Sequence, residues 1–256
     1  MEDIILYFSF YHKGNWDKIY KSLLDKEKVD YLKLKEIKQK LNCNYVTILS
    51  KAYPLILKEV NKPPFVLYYL GDYSLIKFKR IIGVIGTRNP SHFGLDVTNK
   101  IVKDLVKEEV CIISGLAKGI DARAHLTTLN ENGKTIAVLG NGFNHFYPFM
   151  NKNLQERIIK KGLLISEYPP FVAPKKEHFP QRNRIIAALS DAIIVTEAKL
   201  RSGTLITVSF GLEMGKDIWC VPSTNLGRSA CNYLIKQGAN LLENANEVID
   251  EIFKLK

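Results

Sequence analysis

An α/β fold is predicted by three features of this 256-residue sequence: a mostly parallel sheet with helices on both faces, preceded by a small helical region. Six short, uniformly apolar runs recur between residues 80 and 222. Stretches of helical period separate them, the alternation expected of βαβ units. Four of the six runs are followed by a turn rich in Gly, Ser, Thr or Asn. Strands this short and this evenly apolar belong inside a sheet covered on both faces.

Residues 1–62 read as a small, helical, Lys-rich N-terminal region, with a break at Tyr53-Pro54 and a firmer one at Pro63-Pro64. Residues 63–256 read as the main domain. Its strands are expected in RIIGVIG (from Arg80), VCIISG (from Val110), KTIAVLG (from Lys134), LLISEY (from Leu163), DAIIVTEA (from Asp191) and DIWCVP (from Asp217). Helices are expected over Gly94 to Lys107, Ile120 to Asn130, Lys152 to Lys161, Asn183 to Leu189, Thr204 to Met214, Ala230 to Gln237 and Ala245 to Phe253.

Hydrophobic residues make up 46% and charged residues 25%, an average soluble balance, so the unusual quantity is the sign of the charge. Thirty-seven Lys and Arg against 26 Asp and Glu leave a formal +11, which favours a polyanionic partner. Nine lysines lie between Lys13 and Lys40, however, and a solvated helix face explains those equally well. Cys43, Cys111, Cys220 and Cys231 are too scattered for a zinc site or a disulfide framework, and reduced thiols in a cytoplasmic protein are the default. The apolar run Ile4 to Tyr11 follows acidic residues and is too short to span a bilayer, so no signal peptide and no membrane association are expected.

Ligands of open parallel sheets bind beyond the carboxyl ends of the strands. The residues there are Gly86-Thr87-Arg88, then Ser114 to Gly119 including Lys118, then Gly140-Asn141-Gly142, then Glu197 to Arg201 with Ser202-Gly203-Thr204. Small residues just before a helix let backbone N–H groups approach a phosphate. One such turn is ordinary geometry; four on one edge would form an anion-binding rim. In FPQRNRIIAALS, Arg182 and Arg184 flank Asn183 at the expected helix start, where cations oppose the helix dipole. Either a bound anion compensates them, or one of them pairs with Glu197 or Asp191. Lys176 and Phe179, three residues apart, supply the charge and the aromatic ring with which single-strand binders hold backbone and stack bases, although a lone Phe is as readily core. Asp121 and His125 are one helical turn apart, but no third ligand accompanies them, which favours hydrogen bonding over a metal. No serine sits in a nucleophile elbow and no histidine pattern suggests a triad, so no catalytic residue is assigned.

Taken together, the motifs resemble the DprA/Smf family of DNA-processing proteins. The likeness runs from YPLILKEVNKPPFVLYYLGD (Tyr53) through IGTR (Ile85), SGLAKGIDARAH (Ser114), GKTIAVLGNGFNHFYPFMN (Gly133), LISEYPP (Leu164), FPQRNRIIAALSDAIIVTEA (Phe179) and SGTLIT (Ser202) to LIKQGA (Leu234). It implies an extended Rossmann-like domain that binds single-stranded DNA in a basic pocket without catalysis or cofactor, forms a homodimer and helps load the RecA recombinase during natural transformation. By position, Arg88, Lys176, Phe179, Arg182 and Arg184 would line the pocket, with backbone contacts from Gly86 and Thr87. Lys118, Asn183, Ser202, Gly203 and Thr204, on the same rim, complete the expected DNA-binding set. Phe149 stands where some relatives have Lys, and the winged-helix-like C-terminal domain of many relatives is expected to be absent. A rival reading is a nucleotide-processing enzyme of the phosphoribohydrolase type. It would use Ser202-Gly203-Thr204 with Glu213, though the PGG of that motif is missing. A purely structural scaffold for recombination partners is a third reading, against which the basic rim argues.

Overall fold

The computed structural model describes residues 1–224 and 227–254. The chain opens with three helices, α1 (Glu2–Tyr11), α2 (Trp16–Leu24) and α3 (Tyr31–Lys40). Asn15 starts α2 by accepting from the Lys18 N–H, and Asp30 starts α3 by accepting from Leu32 and Lys33. The stretch read as helical up to residue 62 also holds a strand, β1 (Asn44–Thr47), and a 3-10 turn over Leu55–Lys58. β1 pairs antiparallel with β2 (Val66–Gly71), Val46 opposite Leu67. Trp16 Nε1 donates to the Pro63 carbonyl at 2.8 Å and Tyr53 donates to that of Pro64 at 2.7 Å, so the Pro-Pro break is pinned from both sides.

The βαβ series follows: β3 (Ile81–Ile85), α4 (His92–Lys107), β4 (Cys111–Ser114), α5 (Ile120–Asn130), β5 (Thr135–Leu139), α6 (Lys152–Lys161), β6 (Leu163–Ser166), α7 (His178–Leu189), β7 (Ala192–Val195), α8 (Thr204–Glu213), β8 (Asp217–Cys220), α9 (Ala230–Lys236), β9 (Asn240–Leu241) and α10 (Ala245–Ile249). All six expected strands are present. β1, β2 and the two-residue β9 were not anticipated. α7 begins five residues before Asn183, and the helix expected to reach Phe253 ends as α-helix at Ile249 and continues as a π-helical turn, Asp250–Lys254.

The sheet order is β1-β2-β6-β5-β4-β3-β7-β8-β9. From β6 to β9 every pairing is parallel; β2 joins β6 antiparallel. The chain therefore builds outward from β3 in one direction through β4, β5 and β6, then returns to add β7 on the other side. Every residue of β3 through β7 is buried, as their uniform apolarity required. Ile185, Ile186 and Leu189 of α7 cover one face with Val208 of α8 and Leu234 of α9. Ile101 and Leu105 of α4, Ile120 of α5 and Val248 of α10 cover the other. Ile5, Leu6 and Phe8 of α1 pack with Tyr68, Leu139 and Leu164, extending the core to the N-terminal helices. Each side chain of this size is worth about 1.5–3 kcal/mol on full burial. Among the described residues no helix is long and apolar enough to cross a membrane.

Candidate nucleic-acid interface

A doubly wound sheet opens a crevice where the strand order reverses, and here that point lies at β3, between β4 and β7. Gly86-Thr87-Arg88 leaves β3 directly into it. A Cβ on Gly86 would stand 2.6 Å from Ile120 and 2.7 Å from the Glu197 carbonyl, so only glycine lets the three turns close together. The Thr87 N–H donates to Glu197 O at 2.7 Å, and the Ile120 N–H to Thr87 O at 3.2 Å. Thr87 is buried. The N–H expected to meet a phosphate is thus consumed in locking β3 to α5 and β7, and the lock leaves Arg88 exposed on top.

Two of the four turns read as anion rims carry their own anion. At α4, the Glu197 carboxylate accepts from Ser91 N at 3.0 Å and Ser91 Oγ at 2.8 Å, while Ser91 caps Gly94. Before α5, the Asp121 carboxylate accepts from Gly115 N at 3.2 Å and Ala117 N at 3.4 Å. Burial pushes the Asp121 carboxyl above its ordinary range, with the Arg182 guanidinium pulling it back. The third turn is braced from below, Gly142 N donating to Val172 O. The fourth stays open. α8 begins at Gly203 without a side-chain cap, a Cβ on Gly203 would meet nothing within 4 Å, and the half-buried Ser202 has an unpartnered Oγ. Asn183 reaches it, its Nδ2 3.5 Å from Gly203 O.

α7 supplies the aromatic part. Pro180 sits within its first turn, where a missing N–H does no harm, and Phe179 precedes it. His178 fixes the helix start, stacked 3.9 Å from Tyr168 with its Nδ1 3.2 Å from Gly140 O. The half-buried Phe179 ring lies where a Cβ on Gly140 would come within 2.9 Å. Arg88 lies over that ring at 5.7 Å, and Tyr147 packs beside it at 5.1 Å, tilted 34°. Lys176, just ahead of the helix, and Lys118, ahead of α5, are exposed. The site thus brings Arg88, Phe179, Lys176, Lys118, Asn183 and the Ser202-Gly203-Thr204 turn to one edge of the sheet. Tyr147 was missed; the aromatic run Phe143 to Phe149 held the signal, without indicating which ring turns inward to Phe179.

Arg182 and Arg184 are corrected: they face the interior, 4% and 3% exposed. With α7 starting at His178 they lie in its second turn, so the helix dipole asks for no external anion. Arg182 Nη1 donates to Gly115 O at 2.6 Å and to Val138 O. Burial holds its pKa down to about 10, Asp121 acting in the opposite direction. Arg184 grips Glu167 with two bonds of 2.8 and 2.6 Å and donates to Lys62 O. Neither pairs with Asp191 or Glu197: Asp191 accepts from Ile81 N at 2.8 Å, and Glu197 serves Ser91.

The enzyme reading loses its geometry as well. Ser202-Gly203-Thr204 opens α8 and Glu213 closes it, about 14 Å apart along a ten-residue helix. Glu213 is exposed at the far end. His125 Nδ1 is 2.7 Å from Thr135 Oγ1, and Asp121 is turned to backbone N–H groups, so the two share no vacant point.

The comparisons with known proteins agree with this architecture. A family model described as DNA recombination-mediator protein A matches residues 44–253, from the first residue of β1 into the π-helical turn after α10. The chain is 41% identical over 211 residues to the DNA processing protein DprA of Bacillus subtilis (strain 168), covering 82% of this chain and 71% of that one. The X-ray structure of DprA from Streptococcus pneumoniae superposes with a TM-score of 0.82 at 39% identity, over 92% of this chain and 80% of that one. DNA processing protein A from Helicobacter pylori, whose structure addresses its single-stranded DNA binding mode, superposes with a TM-score of 0.74 at 30% identity, over 84% of this chain and 97% of that one.

Proposed function

This chain belongs to the DNA recombination-mediator protein A family, and on that premise we propose that it binds single-stranded DNA at the crevice beyond β3 without catalysing a reaction on it. One observation carries the proposal: an exposed arginine with no ion pair among the described residues, held over a half-buried aromatic ring at the topological switch point. A phosphate needs the first and a base face needs the second. Arg88 takes a phosphate, with Lys118 and Lys176 on the neighbouring ones. Phe179 and Tyr147 offer base-stacking surface, and the uncapped start of α8 with Asn183 receives a further phosphate oxygen. Thr87, Arg182 and Arg184 hold these groups in place from beneath.

Among the described residues nothing in the crevice forms a set of acid, base and nucleophile, which supports binding rather than turnover. Family membership supports two further steps: the protein acts as a homodimer, and it passes the strand to the RecA recombinase in the cytoplasm. Exposed Leu200, Ile206, Leu212, Tyr233 and Leu241 in the last 60 residues supply apolar surface for the dimer. Fluorescence anisotropy with labelled single-stranded and blunt duplex oligonucleotides tests the central reading. Single strands are expected to bind more tightly, with affinity falling as salt rises. Equal affinity for duplex, or no binding at low salt, overturns it. Light scattering at micromolar concentration tests the dimer.

A further inference from the structure

Beyond Arg88 the crevice does not end. Residues of α4, α5 and the segment from Met150 to Arg157 line an open cleft of about 650 Å³, with Arg88 among them. Three more cations line it: Lys118 before α5, Arg123 in the first turn of α5, and Arg157 on α6. No Asp or Glu lines it among the described residues.

Four nearby carboxylates are engaged elsewhere. Glu131 pairs with Lys103 at 2.9 Å, Glu156 faces Lys152 at 4.0 Å, Asp121 accepts backbone N–H groups, and Glu197 serves Ser91. Among the described residues Arg157 donates only to a neutral group, Asn130 Oδ1, at 2.8 Å. Arg123 has no ion pair among the described residues. Four like charges with no carboxylate among the described lining residues raise the local potential and concentrate anions there.

The shape selects among anions. Thr87 ties the start of α5 to the Arg88 turn, and Arg157 meets its last residue, Asn130. The cations therefore run the length of α5, about 16 Å for eleven residues. A lone phosphate would meet one of them; a strand meets them in succession. Leu126 and Leu154 form an apolar floor, and Met150, 67% exposed, stands at the rim, surfaces suited to sugars and base faces. We propose that bound single-stranded DNA continues from Arg88 into this cleft, where Lys118, Arg123 and Arg157 hold successive phosphates. This path rests on the crevice being a single-strand site. Its cations meet phosphates, which carry no sequence information, so it lengthens the footprint through the backbone.

Anisotropy titrations with oligo-dT of about 6 nucleotides, near the short end of common single-strand site sizes, and of about 20, beyond the long end, separate the path from the crevice. The double variant Arg123→Gln with Arg157→Gln is expected to bind the short oligonucleotide within about two-fold of the unaltered protein and the long one about 10- to 100-fold more weakly. Its salt dependence on the long strand is expected to fall by about 1.4, two phosphates at about 0.7 each. Arg123→Lys with Arg157→Lys keeps the charges and is expected to retain most of the affinity, which excludes a folding defect as the cause. Unchanged binding of the long strand by the Gln pair, or equal weakening on both lengths, overturns the path and leaves the crevice standing. Failure of the unaltered protein to bind either oligonucleotide at low salt overturns the crevice reading, and the path with it.

Discussion

The guanidinium of Arg88 lies 5.7 Å from the centroid of the Phe179 ring, joining a residue at the end of β3 to one in the first turn of α7. The ring orients the cation from below while its N–H groups remain available above. Among the described residues the Arg88 side chain makes no hydrogen bond and no ion pair, so its loss is expected to alter binding far more than folding. Arg88→Ala should weaken single-strand affinity by about 1.5–3 kcal/mol, roughly ten- to a hundred-fold, and lower the salt dependence by about one phosphate. Arg88→Lys, lacking the two-pronged fork, should recover only part of this. A melting temperature lowered by several degrees with normal binding would assign Arg88 a structural role instead.

Phe179 and Tyr147 form the second half of the contact, their centroids 5.1 Å apart. Base stacking on an aromatic ring is worth about 1–3 kcal/mol per base, whatever the base. Phe179→Leu keeps apolar volume against Gly140 and removes the flat face. It is expected to cost single-strand affinity while leaving the salt dependence unchanged, because no phosphate contact is lost. A parallel loss of salt dependence would mean that Phe179 acts only by positioning Arg88.

The expected sheet could be read because β3 to β7 are buried on both faces, which removes the alternation of half-exposed strands and leaves plain apolar runs. β1 escaped notice because only Val46 and Thr47 of its four residues are buried, and β9 because it is two residues long. α7, expected from Asn183, starts at His178, because a proline in the first turn ends nothing. Arg88, Phe179 and Lys176 were visible as residue types at the end of a strand and the start of a helix. The inward turn of Arg182 and Arg184 was not, since their partners Gly115 and Lys62 lie 67 and 122 residues away and no local pattern encodes such pairings.

The Arg184–Glu167 pair is bidentate and both side chains are nearly sealed from solvent, at 3% and 6% exposure. Removing one partner strands the other charge in the interior, which costs about 3–5 kcal/mol. Glu167→Gln and Arg184→Ala are each expected to lower the melting temperature by about 2–4 °C for every kcal/mol lost. The folded fraction should bind oligonucleotide normally, since neither group reaches the crevice surface. A stable Arg184→Ala protein that no longer binds DNA would instead place Arg184 in the site.

His125 makes stability depend on pH. The Thr135 hydroxyl gives its only proton to Ile112 O at 2.8 Å, so the His125 ring must donate from Nδ1 to Thr135 Oγ1, leaving Nε2 unprotonated and without a partner. Protonating Nε2 would bury a charge with no acceptor. Burial, helped by the nearby Arg182 charge, accordingly pushes the pKa down from 6.5 to about 3. Between those values the unfolded chain takes a proton that the folded chain refuses, so stability is complete above pH 6.5 and declines as the pH falls. The slope is at most about 1.4 kcal/mol per pH unit for one such group. Thermal melts of the unaltered protein and of His125→Gln from pH 7.5 to 4.5 isolate the effect, because all other titrating groups are common to both. The variant is expected to be less stable at neutral pH and to lose stability less steeply below pH 6. Parallel curves over that range would show that His125 is already protonated in the folded protein.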